Sequence, residues 1–120
     1  MGHIDFDPVE TQLKAYNGRD VEAFLACYTE NCAIEDGAGK RLMTGHAEMR
    51  PRYHTLFDGS PNLDCVIVNR IRIGSYVIDE ESISGRLPGI HPEMHRAVAI
   101  YHLDSLTGLI DRVRFLREFD

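Results

Sequence analysis

The sequence predicts an α+β domain in which helices come first and an antiparallel sheet follows. Apolar residues recur at helical spacing before Leu63, whereas from Leu63 onward they alternate with a period of two. Strands that follow one another through tight turns pair antiparallel, and helices grouped ahead of them can cover only one face of the sheet. Such a sheet commonly curls around its helices and leaves a cavity between the two layers.

Two helices are predicted at the start of the chain. Asp7 can cap the first helix, and Pro8 suits its first position, so this helix is placed over Pro8–Tyr16. Asp20 can cap the second, whose apolar residues recur at i, i+3, i+4 and i+7, and this helix is placed over Val21–Thr29.

A strand, a turn and a third helix are predicted next. Cys32–Asp36 has a short alternating pattern, the glycine-rich stretch after it forms a turn, and Lys40–Met43 is a return segment. The third helix begins at Thr44 or Gly45. Its apolar stripe consists of Met49, Tyr53, Leu56 and Phe57.

Four strands in a meander complete the predicted fold. The first two, Leu63–Ile73 and Tyr76–Ser84, are joined by a Gly-Ser turn. The stretch Gly85–Met94 is rich in proline and glycine and is predicted as a loop. His95–Leu103 and Leu109–Arg117 are the last two strands.

Length and composition predict one domain over residues 1–120. The chain has 120 residues, of which 43% are apolar, enough to bury one core without a metal or a disulfide. Cys27, Cys32 and Cys65 are odd in number and form no Cys-x-x-Cys pair, so we expect buried reduced thiols.

Charge and hydropathy narrow the classes of partner. The net charge is −6 and the arginines are scattered, which argues against a nucleic-acid surface. No apolar run approaches membrane-spanning length, and the first residues, MGHIDFDPVE, carry acids where a signal peptide would be apolar. We therefore expect a soluble cytoplasmic protein that binds neither nucleic acid nor membrane.

Two stretches carry a resemblance to a known superfamily. YNGRDVEAFLACYTENCAIEDGAGKRLMTGHAEMRPRY and YHLDSLTGLIDRVRFLRE resemble the cone-shaped superfamily of nuclear transport factor 2, the SnoaL-like polyketide cyclases and ketosteroid isomerase. The best family name is a SnoaL-like domain. The resemblance implies a cystatin-like curved antiparallel sheet with three N-terminal helices on its concave face. It also implies a homodimer formed through the opposite sheet face.

Within that superfamily, ketosteroid isomerase offers a catalytic comparison. Its strand-end aspartate, which moves the proton, has a match in Asp36, whereas the place of its helix-one tyrosine falls on Gln12 and that of its second acid on Ala99. Gln12 can donate a hydrogen bond, but Ala99 can donate nothing. An oxyanion hole in this protein must therefore be built from other groups.

Asp36 has two interpretations. It can act as a general base if it points into an apolar cavity. It can equally bond the backbone of its own Asp-Gly turn, which is a common arrangement.

Further residues are candidates for lining a pocket. Tyr16 lies four residues after Gln12 and shares its helix face, where it is either a pocket residue or a core aromatic. Tyr53 faces the sheet if its stripe is buried, and its hydroxyl then needs a partner. Ala97, Ala99, Tyr101 and Leu103 share one strand face, which suits a cavity wall. Val98, Ile100 and His102 share the other, which suits a dimer surface.

Two other clusters have weaker functional interpretations. His91, Glu93 and His95 flank the Pro/Gly loop, but three candidate ligands on one loop are poor support for a metal, so we expect none. Arg112 and Arg114 could bind an anion if they face inward. Pairing with acidic residues of neighbouring strands is the more ordinary role.

Two hypotheses of function follow. The first is a cofactor-independent enzyme of isomerase or cyclase type, which transfers protons on a small apolar carbonyl compound. Asp36 would be its base, and Gln12, Tyr16, Tyr53, Ala99 and Tyr101 would line its substrate site. The second is a non-catalytic ligand-binding or dimerisation module of the same fold.

Overall fold

A computed structural model of the chain describes residues 6–118 and confirms the α+β class. The elements in chain order are α1 (Pro8–Asn17), α2 (Val21–Leu25), β1 (Tyr28–Asp36), β2 (Arg41–Thr44), α3 (Gly45–Asp58), β3 (Asp64–Ile73), β4 (Tyr76–Ser84), β5 (Met94–Leu103) and β6 (Ile110–Arg117). The predicted strands from β3 onward match these bounds to within a residue. None of the described helices is long and apolar enough to cross a membrane.

The first helix begins as its sequence predicts. The Asp7 side chain accepts hydrogen bonds from the backbone N–H groups of Val9, at 3.1 Å, and Glu10, at 3.3 Å. These bonds satisfy donors that have no partner inside the helix, while Pro8 has no N–H to satisfy.

The second helix is shorter than predicted, because the chain turns at residues 26–27 and β1 begins at Tyr28. The prediction of Val21–Thr29 is wrong after Leu25. Tyr28 is already paired with Ile110 of β6, and it is only 2% exposed. Strand pairing and burial at this point override a local pattern that also suited a helix.

The six strands form one sheet in the order β2-β1-β6-β5-β4-β3. The meander from β3 to β6 is antiparallel, as predicted, and β1 pairs antiparallel with β2. β1 pairs parallel with β6, which an entirely antiparallel sheet would not include. The direction of β6 is set by β5, its hairpin partner, rather than by β1.

The helices cover one face of the sheet, and this face forms the core. The alternation of β4 turns Val77, Asp79, Glu81 and Ile83 inward, all of them buried. Two carboxylates therefore lie on the apolar side of a strand. The cysteines are buried and free, as expected.

Candidate functional site

A cavity of about 450 Å³ lies between the helices and the sheet. This volume is typical of small-molecule sites. Every helix and strand described above contributes to its lining. Its polar and charged members are Gln12, Tyr16, Tyr28, Arg52, Tyr53, Thr55, Cys65, Glu81, Arg86, Tyr101 and Arg117.

One wall of the cavity is aromatic and is organised around Phe24. The Phe24 ring lies 4.5 Å from that of Tyr53 and 4.9 Å from that of Tyr28, measured between ring centroids. Tyr16 also contacts this cluster, at 6.1 Å from Phe24. Tilted rings at these distances attract each other and give a rigid apolar surface.

A chain of hydrogen bonds crosses the cavity and ends on Glu81. The Tyr28 hydroxyl donates to Gln12 Oε1 at 3.0 Å, and Gln12 Nε2 donates to the Tyr101 hydroxyl at 3.1 Å. The Tyr101 hydroxyl in turn is hydrogen-bonded to the Glu81 carboxyl. Burial raises the pKa of both tyrosines, so both remain protonated donors at neutral pH.

Glu81 is a nearly inaccessible carboxyl at the cavity wall, with 5% of the residue exposed. Burial raises its pKa to about 7, and the nearby charge of Asp79 acts in the same direction. Arg117, the hydrogen bond with Tyr101, and Arg70 act in the opposite direction. The carboxyl can therefore gain or lose a proton near neutral pH.

Asp79, two residues before Glu81, is fully buried but has a partner. Arg70 Nε and Nη2 donate to its two carboxylate oxygens at 2.6 and 2.9 Å, and Arg70 Nη1 donates to Glu10 at 2.8 Å. This paired geometry balances the charge of Asp79. Asp79 is thus structural, while Glu81 is left facing the cavity.

The structure brings together most of the predicted pocket residues. Gln12, Tyr16, Tyr53 and Tyr101 all line the cavity. Ala99 is fully buried on the same strand face as Tyr101 but is not part of the lining. Its neighbour Ala97 takes that position.

Asp36 does not line the cavity. Its Oδ1 accepts hydrogen bonds from the backbone N–H groups of Ala38 and Lys40, each at 2.9 Å. This is the geometry of a side chain that stabilises its own turn. A catalytic role for Asp36 stays a prediction, and the structure places another carboxyl, Glu81, in the cavity.

The structure also describes the histidine-containing loop and the two arginines of β6 that the sequence analysis considered. Among residues 6–118, no group of three His, Cys, Asp or Glu side chains is arranged to hold a metal ion. Arg114 donates to Glu35 of the neighbouring strand at 3.3 Å, which is the ordinary role predicted for it, and Arg112 is exposed.

Sequence reasoning missed the four charged residues of the cavity lining: Arg52, Glu81, Arg86 and Arg117. A signal for Glu81 was available, because strict alternation of β4 places both Asp79 and Glu81 on the same face as Val77 and Ile83. Acids among apolar residues on one strand face are unusual. The three arginines had no such local signal.

Comparison with known proteins identifies the family. Residues 9–113 match the SnoaL-like domain. The chain belongs to the SnoaL-like domain family. None of the curated proteins matches it.

Solved structures resemble this SnoaL-like domain over most of their length. A cystatin-fold protein of uncharacterised function from Novosphingobium aromaticivorans has a TM-score of 0.82 at 22% identity, covering 92% of this chain and 95% of its own. A proposed SnoaL-like polyketide cyclase from Shewanella denitrificans has a TM-score of 0.76 at 15% identity. The match covers 93% of this chain and 88% of the cyclase chain.

A third similar structure holds a ligand. This protein from Catenulispora acidiphila has a ketosteroid isomerase-like fold and was solved in complex with trimethylamine. Its TM-score is 0.74 at 17% identity, and the match covers 91% of this chain and 83% of the Catenulispora chain. At these identities the three comparisons show that the fold is shared.

Proposed function

We propose that this SnoaL-like protein transfers protons on a small apolar carbonyl compound, with Glu81 as its acid-base group. The observation that carries the proposal is a buried carboxyl, with a pKa of about 7, on the wall of a cavity lined largely by apolar side chains. A general base works best when its pKa lies near the working pH.

Glu81 would act as base in its ionised form. It would take a proton from the carbon next to the substrate carbonyl, leaving an enolate, and would return the proton to another carbon of the same substrate. The hydrogen bond with Tyr101 keeps part of the Glu81 population ionised at neutral pH, because it stabilises the charged form.

Tyr16 and Tyr53 are the groups best placed to stabilise the enolate oxygen. Both line the cavity, and within residues 6–118 neither hydroxyl donates to a protein acceptor. Burial raises the pKa of each, so each keeps its proton. Donors fixed in a water-poor site are the usual means of stabilising such an oxyanion.

Deuterium exchange tests the proposal without knowledge of the product. Wild type is incubated in D₂O buffer near pH 7.5 with cyclic and aryl ketones such as 2-tetralone, and label at the carbon next to the carbonyl is measured by mass spectrometry. We expect exchange above the buffer rate, reduced about 100-fold or more in Glu81→Gln. Equal exchange by wild type and Glu81→Gln contradicts the assignment of the base.

Asp36→Asn is the matched control. It should keep the exchange rate of wild type, because Asp36 accepts bonds from its own turn. Loss of exchange in Asp36→Asn with retention in Glu81→Gln would return the role of base to Asp36.

A non-catalytic ligand-binding module is the second candidate. It is favoured by the placement of Asp36 in its own turn and by Ala99, which supplies no donor where ketosteroid isomerase has its second acid. Tight binding of apolar ketones by a wild-type protein that catalyses no exchange would support it.

We further propose that two copies associate through the sheet face opposite the helices. That face exposes Ile71 at 50% and Leu116 at 44%, and carries the ion pair of Arg96 with Glu80. Sedimentation should show a dimer of wild type and a monomer of Leu116→Glu. Leu106→Glu, in a turn where the residue is 93% exposed, should stay dimeric.

A further inference from the structure

Two arginines face the cavity without a carboxylate partner. Arg86 and Arg117 both line it, and in the described part of the chain neither forms a salt bridge with an acidic side chain. Arg86 Nε is buried and donates to no described acceptor. Both arginines are partly buried, and an inaccessible donor without an acceptor is costly, so this arrangement is one that a bound anion would relieve.

The two guanidinium groups act on each other. Burial lowers the pKa of Arg86, and the charge of Arg117 lowers it further. Arginine nevertheless stays charged in proteins. Both groups therefore present positive charge to the same space, and Arg52, an exposed residue of α3, adds a third guanidinium to the lining.

The backbone holds Arg86 in place without help from an ion pair. Its neighbours Gly85 and Leu87 both have left-handed backbone angles, with φ of +73° and +41°. The Leu87 N–H donates at 2.9 Å to the hydroxyl of Ser60, which is fully buried. A strained segment fixed by buried contacts is a frequent feature of functional sites.

Strand register relates this positive region to Glu81. Ala97 of β5 is paired with Glu81 of β4 on one side and with Arg117 of β6 on the other. Neighbouring strands lie about 4.8 Å apart, so the two charged residues are roughly 10 Å apart at the backbone. The small Ala97 side chain leaves room between them for a ligand.

We propose that the ligand of this cavity is a small apolar carboxylic acid, whose carboxylate binds Arg86 and Arg117 while its apolar body packs against the aromatic wall around Phe24. With Glu81 ionised, the three guanidinium groups of the lining face one carboxylate, and a bound monoanion reduces the positive charge that remains. Guanidinium groups bind carboxylates through paired, charge-assisted hydrogen bonds. The proposal deepens the proposed function by adding an acid group to its carbonyl substrate.

Isothermal titration with acids and their neutral amides tests this. The probes are 2-naphthylacetate, 3-phenylpropionate and decanoate, each paired with its primary amide, at pH 7.5 and low salt. For wild type we expect at least one acid to bind 10-fold or more tightly than its amide. In Arg86→Met and in Arg117→Met that ratio should fall below about 3-fold. Arg112→Met, an exposed arginine elsewhere on β6, should keep the wild-type ratio.

Two results overturn the proposal. One is an acid-to-amide ratio near one for wild type, or no binding of any acid. The other is a ratio unchanged in both arginine variants. Arg86→Lys, which keeps the charge, should recover part of the selectivity. We also expect Arg86→Met to unfold at the same temperature as wild type or higher, because the substitution removes a poorly compensated charge. A fall of 10 °C or more in the unfolding midpoint would instead make Arg86 a structural residue.

Proton transfer by Glu81 and carboxylate binding by Arg86 and Arg117 can be tested separately. Glu81→Gln should keep the preference for acids, since Arg86 and Arg117 are untouched. Carboxylate selectivity that survives in a protein without deuterium exchange would overturn the catalytic proposal alone.

Discussion

Glu81 and Arg117 face the same cavity from β4 and β6, separated by Ala97 of the strand between them. The charge of Arg117 lowers the pKa of Glu81, while burial raises it. A titratable carboxyl and a cation are thus held on one rigid sheet, which keeps their spacing fixed.

Replacement of Glu81 by Gln should stabilise the protein in a pH-dependent way. Folding raises the Glu81 pKa from its ordinary value of 4.5 to about 7. Burial and the charge of Asp79 raise the pKa, and they outweigh Arg117, Tyr101 and Arg70, which lower it. Wild type therefore loses stability as the pH rises from about 4.5 to 7. Relative to wild type, Glu81→Gln should gain up to about 3 kcal/mol above pH 7.

Urea unfolding at pH values from 5 to 8.5 measures this difference. Glu80→Gln, a change on the opposite face of β4, is the control and should show no rise with pH over that range. A free-energy difference between Glu81→Gln and wild type that is flat from pH 5 to 8 would contradict a titrating buried Glu81.

Removal of the Tyr101 hydroxyl should raise the pKa of Glu81 above about 7, because the hydrogen bond from Tyr101 lowers it. The pH midpoint of deuterium exchange should therefore move upward in Tyr101→Phe. Tyr28→Phe removes the far end of the same hydrogen-bond chain and should move the midpoint less. Each variant should lose about 1–2 kcal/mol of stability. An unchanged midpoint in Tyr101→Phe would show that Tyr101 does not act on Glu81.

Arg70→Met should destabilise the fold by about 3–5 kcal/mol, because it leaves the fully buried Asp79 without its paired cation. The double variant Arg70→Met with Asp79→Leu should recover most of the loss, as measured by urea unfolding. Arg72→Met, whose partner Asp7 is partly exposed, should cost less than about 1 kcal/mol. No recovery in the double variant would mean that the cost lies elsewhere.

Gly85→Ala should cost about 3 kcal/mol or more, because its φ is +73° and a Cβ there would collide with the carbonyl oxygen of Asn62. Gly74 also has a positive φ, of +58°, but nothing lies within 4 Å of a Cβ at that position. Gly74→Ala should therefore show the backbone cost alone, about 1–2 kcal/mol. Similar losses for both variants, measured by thermal unfolding, would exclude the clash.

Asp36→Ala and Asp36→Asn should differ in stability. Asparagine keeps an oxygen that can accept from Ala38 and Lys40, whereas alanine leaves both exposed N–H groups to water, so Asp36→Ala should lose about 1 kcal/mol and Asp36→Asn less. Denaturant unfolding compares them. Equal stabilities would remove the structural role of this carboxylate.

The sequence by itself determined the first and third helices, the bounds of the strands from β3 onward, and the family. Helical spacing after Asp7 and the period of two in β4 are local properties, so they can be read before any tertiary contact is known. It failed at Tyr28, where local spacing suited a helix but pairing with Ile110 of β6 made a strand.

Only the tertiary structure decided the charge arrangement of the site. Glu81, Arg86 and Arg117 come from β4, the loop after it and β6, and their convergence depends on strand register that no local pattern encodes. Likewise, the sequence allowed Asp36 to be either a base or a turn residue. In the folded turn its side chain accepts hydrogen bonds from the N–H groups of Ala38 and Lys40. Local spacing sets which element forms, whereas long-range pairing sets which side chains share a cavity.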